Sequence, residues 1–327
     1  MIEFVFVFFV FGNSNKEMLK TPGFFEREKD APIFLEEDGF LERAGDSVYE
    51  RANAWYEATF DGAEHPAADS TEDAARLEGA RHPRIVLRDS ERTFLVAEDR
   101  EALARLLTRL HIRFEDYSQG MGFVASFLLL FLEPAKTEEI IRCVNSDPKF
   151  IPGYWKNEAV GFATDAYVFG HLLAERHPRL AQHLDACYMQ PEMYCQKWFT
   201  ALCVHVLPYE YVFDFFDGFF RRGFKYLFQF ALALTDALED RLLATTNPGE
   251  LLALLRLDRE VFDTPLDYAA VLATADTIDV DHHDYKALRE EMFEKHLRPR
   301  MERARRAAEE DSDDEIVFSS EDEEDDK

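Results

Sequence analysis

The sequence predicts an all-α protein, and three observations carry that expectation. Leu103, Leu106, Leu107 and Leu110 fall at i, i+3, i+4 and i+7, behind Glu98, Asp99 and Glu101, acids that suit a helix N-terminus. Pro178, Pro191, Pro208 and Pro248 each stand where a helical pattern begins, the one helical position that tolerates proline. No alternating strand pattern recurs with hairpin turns, and Gly and Pro number only 14 and 13 in 327 residues, too few for a turn-rich β protein.

Residues 1–12 (MIEFVFVFFVFG) are strongly apolar but too short to span a bilayer as a helix, and they carry Glu3 where a signal peptide would be positive. A β-strand, a peripheral hydrophobic segment or a mistaken start codon would each explain them. Residues 13–46 are mixed and turn-rich. Ser47 suits an N-cap, with Glu50 as its capping-box partner, so a helix is expected over 48–59. It would hold Arg51 and Trp55 one turn apart on one face. Residues 61–73 read as a loop. After the Leu-striped helix, residues 122–132 (GFVASFLLLFL) read as a helix buried on every face. Further helices are expected near 163–175, 178–186, 191–207, 209–221, 223–244, 248–255, 265–275 and 284–308. No internal repeat is evident.

Charge and cysteine usage exclude several classes. The net charge is -28; residues 309–327 carry twelve acids and one lysine, leaving -17 on the rest. That balance repels nucleic acid and anionic lipid, so nucleic acid is not an expected partner and membrane association is at most indirect or peripheral. Cys143, Cys187, Cys195 and Cys203 form no C-x-x-C pair and no metal-ligand spacing. They read as small core residues of a reduced, cytoplasmic protein.

Two segments stand out as chemical: Val86-x-x-Asp89-x-x-Arg92-Thr93-Phe94, and Tyr117-x-Gln119-Gly120-Met121 just before the buried helix. This arrangement would bring two loop-borne polar side chains together beside a rigid scaffold. The segments resemble the I-x-x-D-x-x-R and Y-x-Q-G-M signatures of the TBC domain, the catalytic module of Rab GTPase-activating proteins. Arg51-Ala-Asn-Ala-Trp55 fits the family's R-x-x-x-W. The stretch from Pro178 through His183 to Leu184 looks like its P-x-L-x-x-H-L. Trp198-Phe199, Leu207-Pro208 and Val212-Phe213-Asp214 look like its W-F, L-P and I-W-D stretch, and residues 223–234 continue the match. Leu95 replaces a frequent proline, Gly122 replaces a frequent asparagine, and residues 133–162 look longer than the usual connection.

The resemblance implies a two-lobed helical TBC domain over residues 45–255. A 1–44 extension would precede it, with a helical extension at 256–308 and an acidic disordered tail at 309–327 following. It implies a partner, a Rab-family small GTPase in its GTP-bound state, and a cytoplasmic protein open to recruitment by endomembranes. It also implies that Arg92 is an arginine finger and that Gln119 positions the attacking water. Asp89 would support Arg92, Tyr117 would hold the Gln119 segment, Gly120 would permit close backbone approach, and Arg51 and Trp55 would be architectural. The chain would activate hydrolysis without being a hydrolase. No cofactor of its own is expected, because GTP and magnesium belong to the GTPase. The rival expectation is a catalytically silent TBC-like scaffold that binds a Rab; retention of both Arg92 and Gln119 favours the activator.

The remaining patterns have ordinary readings. Tyr209, Tyr211, Phe213, Phe215, Phe216, Phe219 and Phe220 read as helical core. Residues 279–284 (DVDHHD) invite a metal, but adjacent histidines on a helix face apart and no spaced third ligand is visible, so a solvated loop capping the next helix is expected. Arg298, Arg300, Arg303, Arg305 and Arg306 read as a basic helix end. Ser312, Ser319 and Ser320 sit among acids, which suits either phosphorylation or an unmodified, solubilising tail.

Overall fold

Helix α1 (Ser47–Thr59) buries Val48, Ala52, Trp55 and Thr59, the i, i+4, i+7, i+11 stripe of an amphipathic helix. The computed structural model describes residues 47–314, except 63–64, 68–69, 71–75, 78, 95–96, 157–158, 205, 259–260 and 263–265; residues 26–28 and 31–33 are described as backbone only, as are 308–314. The apolar residues 1–12 and the end of the tail lie outside this set. Ahead of the helices, β1 (Glu26–Glu28) and β2 (Ala31–Ile33) pair antiparallel.

Helix α2 (Arg84–Thr93) is a helix that periodicity does not reveal. Its buried face is Val86, Asp89, Ser90 and Thr93, only one of them apolar. Thr93 Oγ1 and Ser90 Oγ instead donate back to the carbonyls of Asp89 and Val86, at 2.6 and 2.9 Å. α3 (Ala97–Phe114) buries the expected leucine stripe. α4 (Gln119–Leu129) is buried at Gly120–Gly122 and again at Val124–Leu129, as an apolar-all-round helix must be. α5 (Pro134–Ser146) occupies the stretch read as a long connection. Its buried Glu138 accepts from Arg109 and Arg113 of α3, at 2.7 and 2.6 Å.

The chain continues through α6 (Val160–Arg176), α7 (Pro178–Ala186), α8 (Pro191–Phe199), α9 (Tyr209–Arg222), α10 (Phe224–Leu243), α11 (Pro248–Leu255), α12 (Tyr268–Ala275) and α13 (Tyr285–Met292). A π-helical turn, Phe293–Leu297, leads into α14 (Arg298–Asp314). Pro178, Pro191 and Pro248 open their helices, and Pro208 stands one residue before α9. The helix expected over 191–207 stops at Phe199, because Leu202 and Cys203 take left-handed backbone, at φ 45° and 59°. Gly223 breaks α9 from α10 at φ 65°; a Cβ there would fall 1.8 Å from the Lys149 carbonyl, so only glycine fits.

Two groups of helices result. α1 and α3–α5 pack together, with α2 against α3 and α4; α6–α8 and α11–α12 gather around α10. α9 joins the groups, touching α1 on one side and α10 and α12 on the other. Trp55 stands at that junction, its ring 5.4–6.1 Å from Phe127, Phe213, Phe216 and Phe220. Phe213, Phe215, Phe216, Phe219 and Phe220 are wholly buried, so the aromatic series of α9 is core. The four cysteines are buried thiols. Arg289 of α13 forms a two-pronged ion pair with Asp165 of α6, at 2.7 and 2.8 Å, and fixes the C-terminal helices to the body. The arginines at 298–306 lie in the first part of α14, not at its end. Arg298 pairs with Glu294, and Arg300 with Glu192 of α8. Among the described residues, no helix is long and apolar enough to cross a membrane.

Candidate functional site

Arg92 occupies the last turn of α2 and Gln119 is the first residue of α4. The two side chains expected on loops therefore sit on helix ends, which hold them more firmly than loops would. Both are exposed, and both line one crevice, together with Asp89, Tyr117, Leu103 and Phe123.

Asp89 is the hub of this arrangement. It points inward from α2 and is 8% exposed. One carboxylate oxygen pairs with the Arg92 guanidinium, an i, i+3 contact on the same helix. The other accepts from the Tyr117 hydroxyl at 2.6 Å. Arg92 Nε also donates to the Arg88 carbonyl at 3.2 Å. Tyr117 lies in the connection between α3 and α4, so the Tyr117–Asp89 bond ties the helix of Arg92 to the segment that launches Gln119. Burial, then the Asp89 charge beside it, pushes the Tyr117 phenol far above its ordinary range, so it stays a donor. Tyr117→Phe removes the donor and leaves a buried carboxylate oxygen short of a partner. It is expected to destabilise the fold by about 1.5–3 kcal/mol, read as a lowered urea midpoint at unchanged m-value.

Gly120 fits for a steric reason: a Cβ there would lie 2.5 Å from the Thr200 carbonyl, at the end of α8. The start of α4 can approach that carbonyl only without a side chain. Gly122 is less constrained, since its Cβ would meet the Tyr117 hydroxyl at 3.0 Å.

Arg51 and Trp55 serve a different place. Arg51 donates to Asp214 and to Asp217 of α9, each at 2.6 Å, and Trp55 Nε1 donates to Asp217 at 2.6 Å. Burial opposes the Arg51 charge, but the bonds to Asp217 and Asp214 outweigh it and raise its pKa further. This clamp joins α1 to α9 and does not line the Arg92–Gln119 crevice. His183 likewise bonds the Thr245 carbonyl at 2.8 Å, tying α7 to the end of α10.

Sequence reasoning passed over the neighbours of Arg92. Arg84, Ile85, Leu87 and Arg88 share its outward face, and Ile85 is 53% exposed. The i, i+3, i+7 spacing of Ile85, Arg88 and Arg92 is the signal that would have found that face once the helix was known.

Comparison with known proteins agrees with this architecture. The Rab-GTPase-TBC domain family profile matches residues 64–243, over half of the chain. Mouse Carabin is 35% identical over 121 residues, which is 37% of this chain and 27% of its own length. The GTPase-activating protein GYP5 of Saccharomyces cerevisiae is 31% identical over 167 residues, 47% of this chain and 17% of its own. The chain thus spans less than a third of either relative. The crystal structure of the Chlamydomonas flagellar RabGAP TBC domain aligns with a TM-score of 0.57 at 24% identity, covering 75% of this chain and 85% of that one. At that identity the likeness is one of fold. With its helical architecture and the extent of the profile match, this chain belongs to the Rab-GTPase-TBC domain family.

Proposed function

We propose that this chain is a GTPase-activating protein for a GTP-bound Rab-family small GTPase, with Arg92 and Gln119 acting in trans on the partner's nucleotide. The observation that carries the proposal is the joint exposure of these two side chains on one crevice, with Asp89 and Tyr117 bracing both helix ends. GTP hydrolysis passes through a loose transition state that spreads negative charge over the phosphoryl oxygens and the leaving oxygen. A guanidinium stabilises that charge, and an amide offers an acceptor and a donor to orient the attacking water.

Arg92 is half-exposed and paired with Asp89, so docking requires only that its guanidinium exchange a carboxylate for phosphoryl oxygens. The outward face of α2 supports docking there: Ile85 and Leu87 are exposed apolar side chains between Arg84 and Arg88, next to Arg92. The chain needs no metal for this step, because the GTPase carries GTP and Mg2+.

Gln119→Ala is expected to lower single-turnover GTP hydrolysis on the responsive Rab on the order of 10²–10³-fold, the loss typical of one preorganised transition-state group. Binding to the GTP-state Rab would be unchanged, because Gln119 is exposed and the fold does not rest on it. Full activity in Gln119→Ala would remove Gln119 from the mechanism. Binding without acceleration by the unmutated chain would favour a scaffold.

A further inference from the structure

Residues 279–284 are the later part of the connection from α12 to α13, and the expected cap is present: Asp284 Oδ1 accepts from the N–H groups of Lys286 and Ala287, both at 3.1 Å. His282 and His283 therefore stand in the turn before the helix, where consecutive side chains need not diverge. Their ring centroids lie 3.9 Å apart. The third group that the sequence does not show comes from α6. His171 and Glu175 are one turn apart there, with His171 Nε2 3.1 Å from Glu175 Oε1. The other carboxylate oxygen, Oε2, is 3.4 Å from His283 Nε2. One ligand atom from each of Glu175, His282 and His283 lies within 4.8 Å of the other two.

Ligand atoms about 2.1 Å from a tetrahedral ion stand roughly 3.4 Å apart. The Glu175–His283 pair already has that separation, and the His282 side chain, 62% exposed, is free to close the remainder. Two imidazoles and one carboxylate form a donor set suited to zinc, with a fourth position left for water. Calcium and magnesium would demand oxygen donors throughout. One outer partner is in place: His171 Nε2 holds the Glu175 carboxylate at 3.1 Å, while Asp279 Oδ2 stands 3.9 Å from His282 Nδ1, near it but beyond hydrogen-bond reach. A chain of net charge -28 draws cations to its surface.

We propose that Glu175, His282 and His283 form a zinc-binding site that fastens the α12–α13 turn to α6. The site joins the body of the TBC domain to helices beyond residue 243, where the family match ends. None of its residues lines the Arg92–Gln119 crevice, so it acts on the attachment of the C-terminal helices, and its test is independent of GTPase activation. Zinc that binds the folded chain and not the unfolded one raises the unfolding temperature, and the rise grows with the logarithm of the free zinc concentration even past saturation.

The test uses the full chain stripped by a chelator and titrated with Zn2+ against a chromophoric competitor, with thermal unfolding followed in parallel. The expected result is saturable binding of one equivalent, a raised Tm that EDTA reverses, and the visible d–d bands of a four-coordinate site when Co2+ replaces Zn2+. His282→Ala and His283→Ala each abolish the binding, His171→Ala weakens it by about 10–100-fold, and His65→Ala, at a ring that stacks on Phe60 just after α1 and is no part of the cluster, leaves it intact. His282 is exposed, so circular dichroism of His282→Ala is expected to match the unmutated chain and separates lost binding from lost folding. Absence of saturable Zn2+ binding to the unmutated chain, or undiminished binding in His282→Ala and His283→Ala, overturns the proposal.

Discussion

Arg92→Ala is expected to lower GTP hydrolysis on the responsive Rab by about 10³–10⁵-fold, the contribution of an arginine supplied in trans. Arg92→Lys is expected to recover little of it. A lysine ammonium is a point charge on a flexible stem and cannot span two oxygens with a planar fork. Stability should fall by about 1.5–3 kcal/mol, because buried Asp89 loses one of its two partners while it keeps its bond from Tyr117. Single-turnover rates at saturating activator, with urea unfolding of the same preparations, check both statements. A drop in rate of several orders of magnitude in a chain that still unfolds cooperatively is the signature of a group that acts on the reaction.

Trp55→Ala has the opposite signature. The side chain is 1% exposed among Phe127, Phe213, Phe216 and Phe220, and its Nε1 serves Asp217. Removing it is expected to cost about 3–5 kcal/mol from the lost burial together with the cavity left behind, a large part of the roughly 5–15 kcal/mol that holds a typical domain folded. Trp55→Phe keeps much of the packing but loses the indole donor to a charged partner, for about 1.5–3 kcal/mol. Denaturant midpoints would rank the two, and hydrolysis per folded molecule would stay unchanged, since Trp55 does not line the crevice. Equal midpoints for Trp55→Ala and the unmutated chain would contradict the reading of the α1–α9 junction as the core of the fold.

The legibility of the fold follows the chemistry of each helix face. α3 and α4 were readable because their buried positions are apolar, striped in the first and continuous in the second. α2 was not, because it buries Asp89, Ser90 and Thr93 and leaves Ile85 and Leu87 exposed, which inverts the usual pattern. α5 was hidden for a related reason: it buries Thr137 and Glu138 beside its few apolar residues, and Glu138 is tolerated only because Arg109 and Arg113 reach it. Arg92 and Gln119 stand in ordered motifs that are legible in the sequence. The bond that unites their settings, Tyr117 to Asp89, depends on how α2 packs beside α4, and no local pattern encodes it. The partner of the His282–His283 pair is hidden from local sequence for the same reason, since Glu175 arrives from a helix distant in sequence.

The most direct test of the central claim is single-turnover hydrolysis by a panel of GTP-loaded Rab proteins, each mixed with the unmutated chain, Arg92→Ala and Gln119→Ala. At least one Rab is expected to respond to the unmutated chain, and on that Rab each variant is expected to lose most of the acceleration while still binding. A panel in which no Rab responds, or in which both variants accelerate hydrolysis as well as the unmutated chain, would contradict the account.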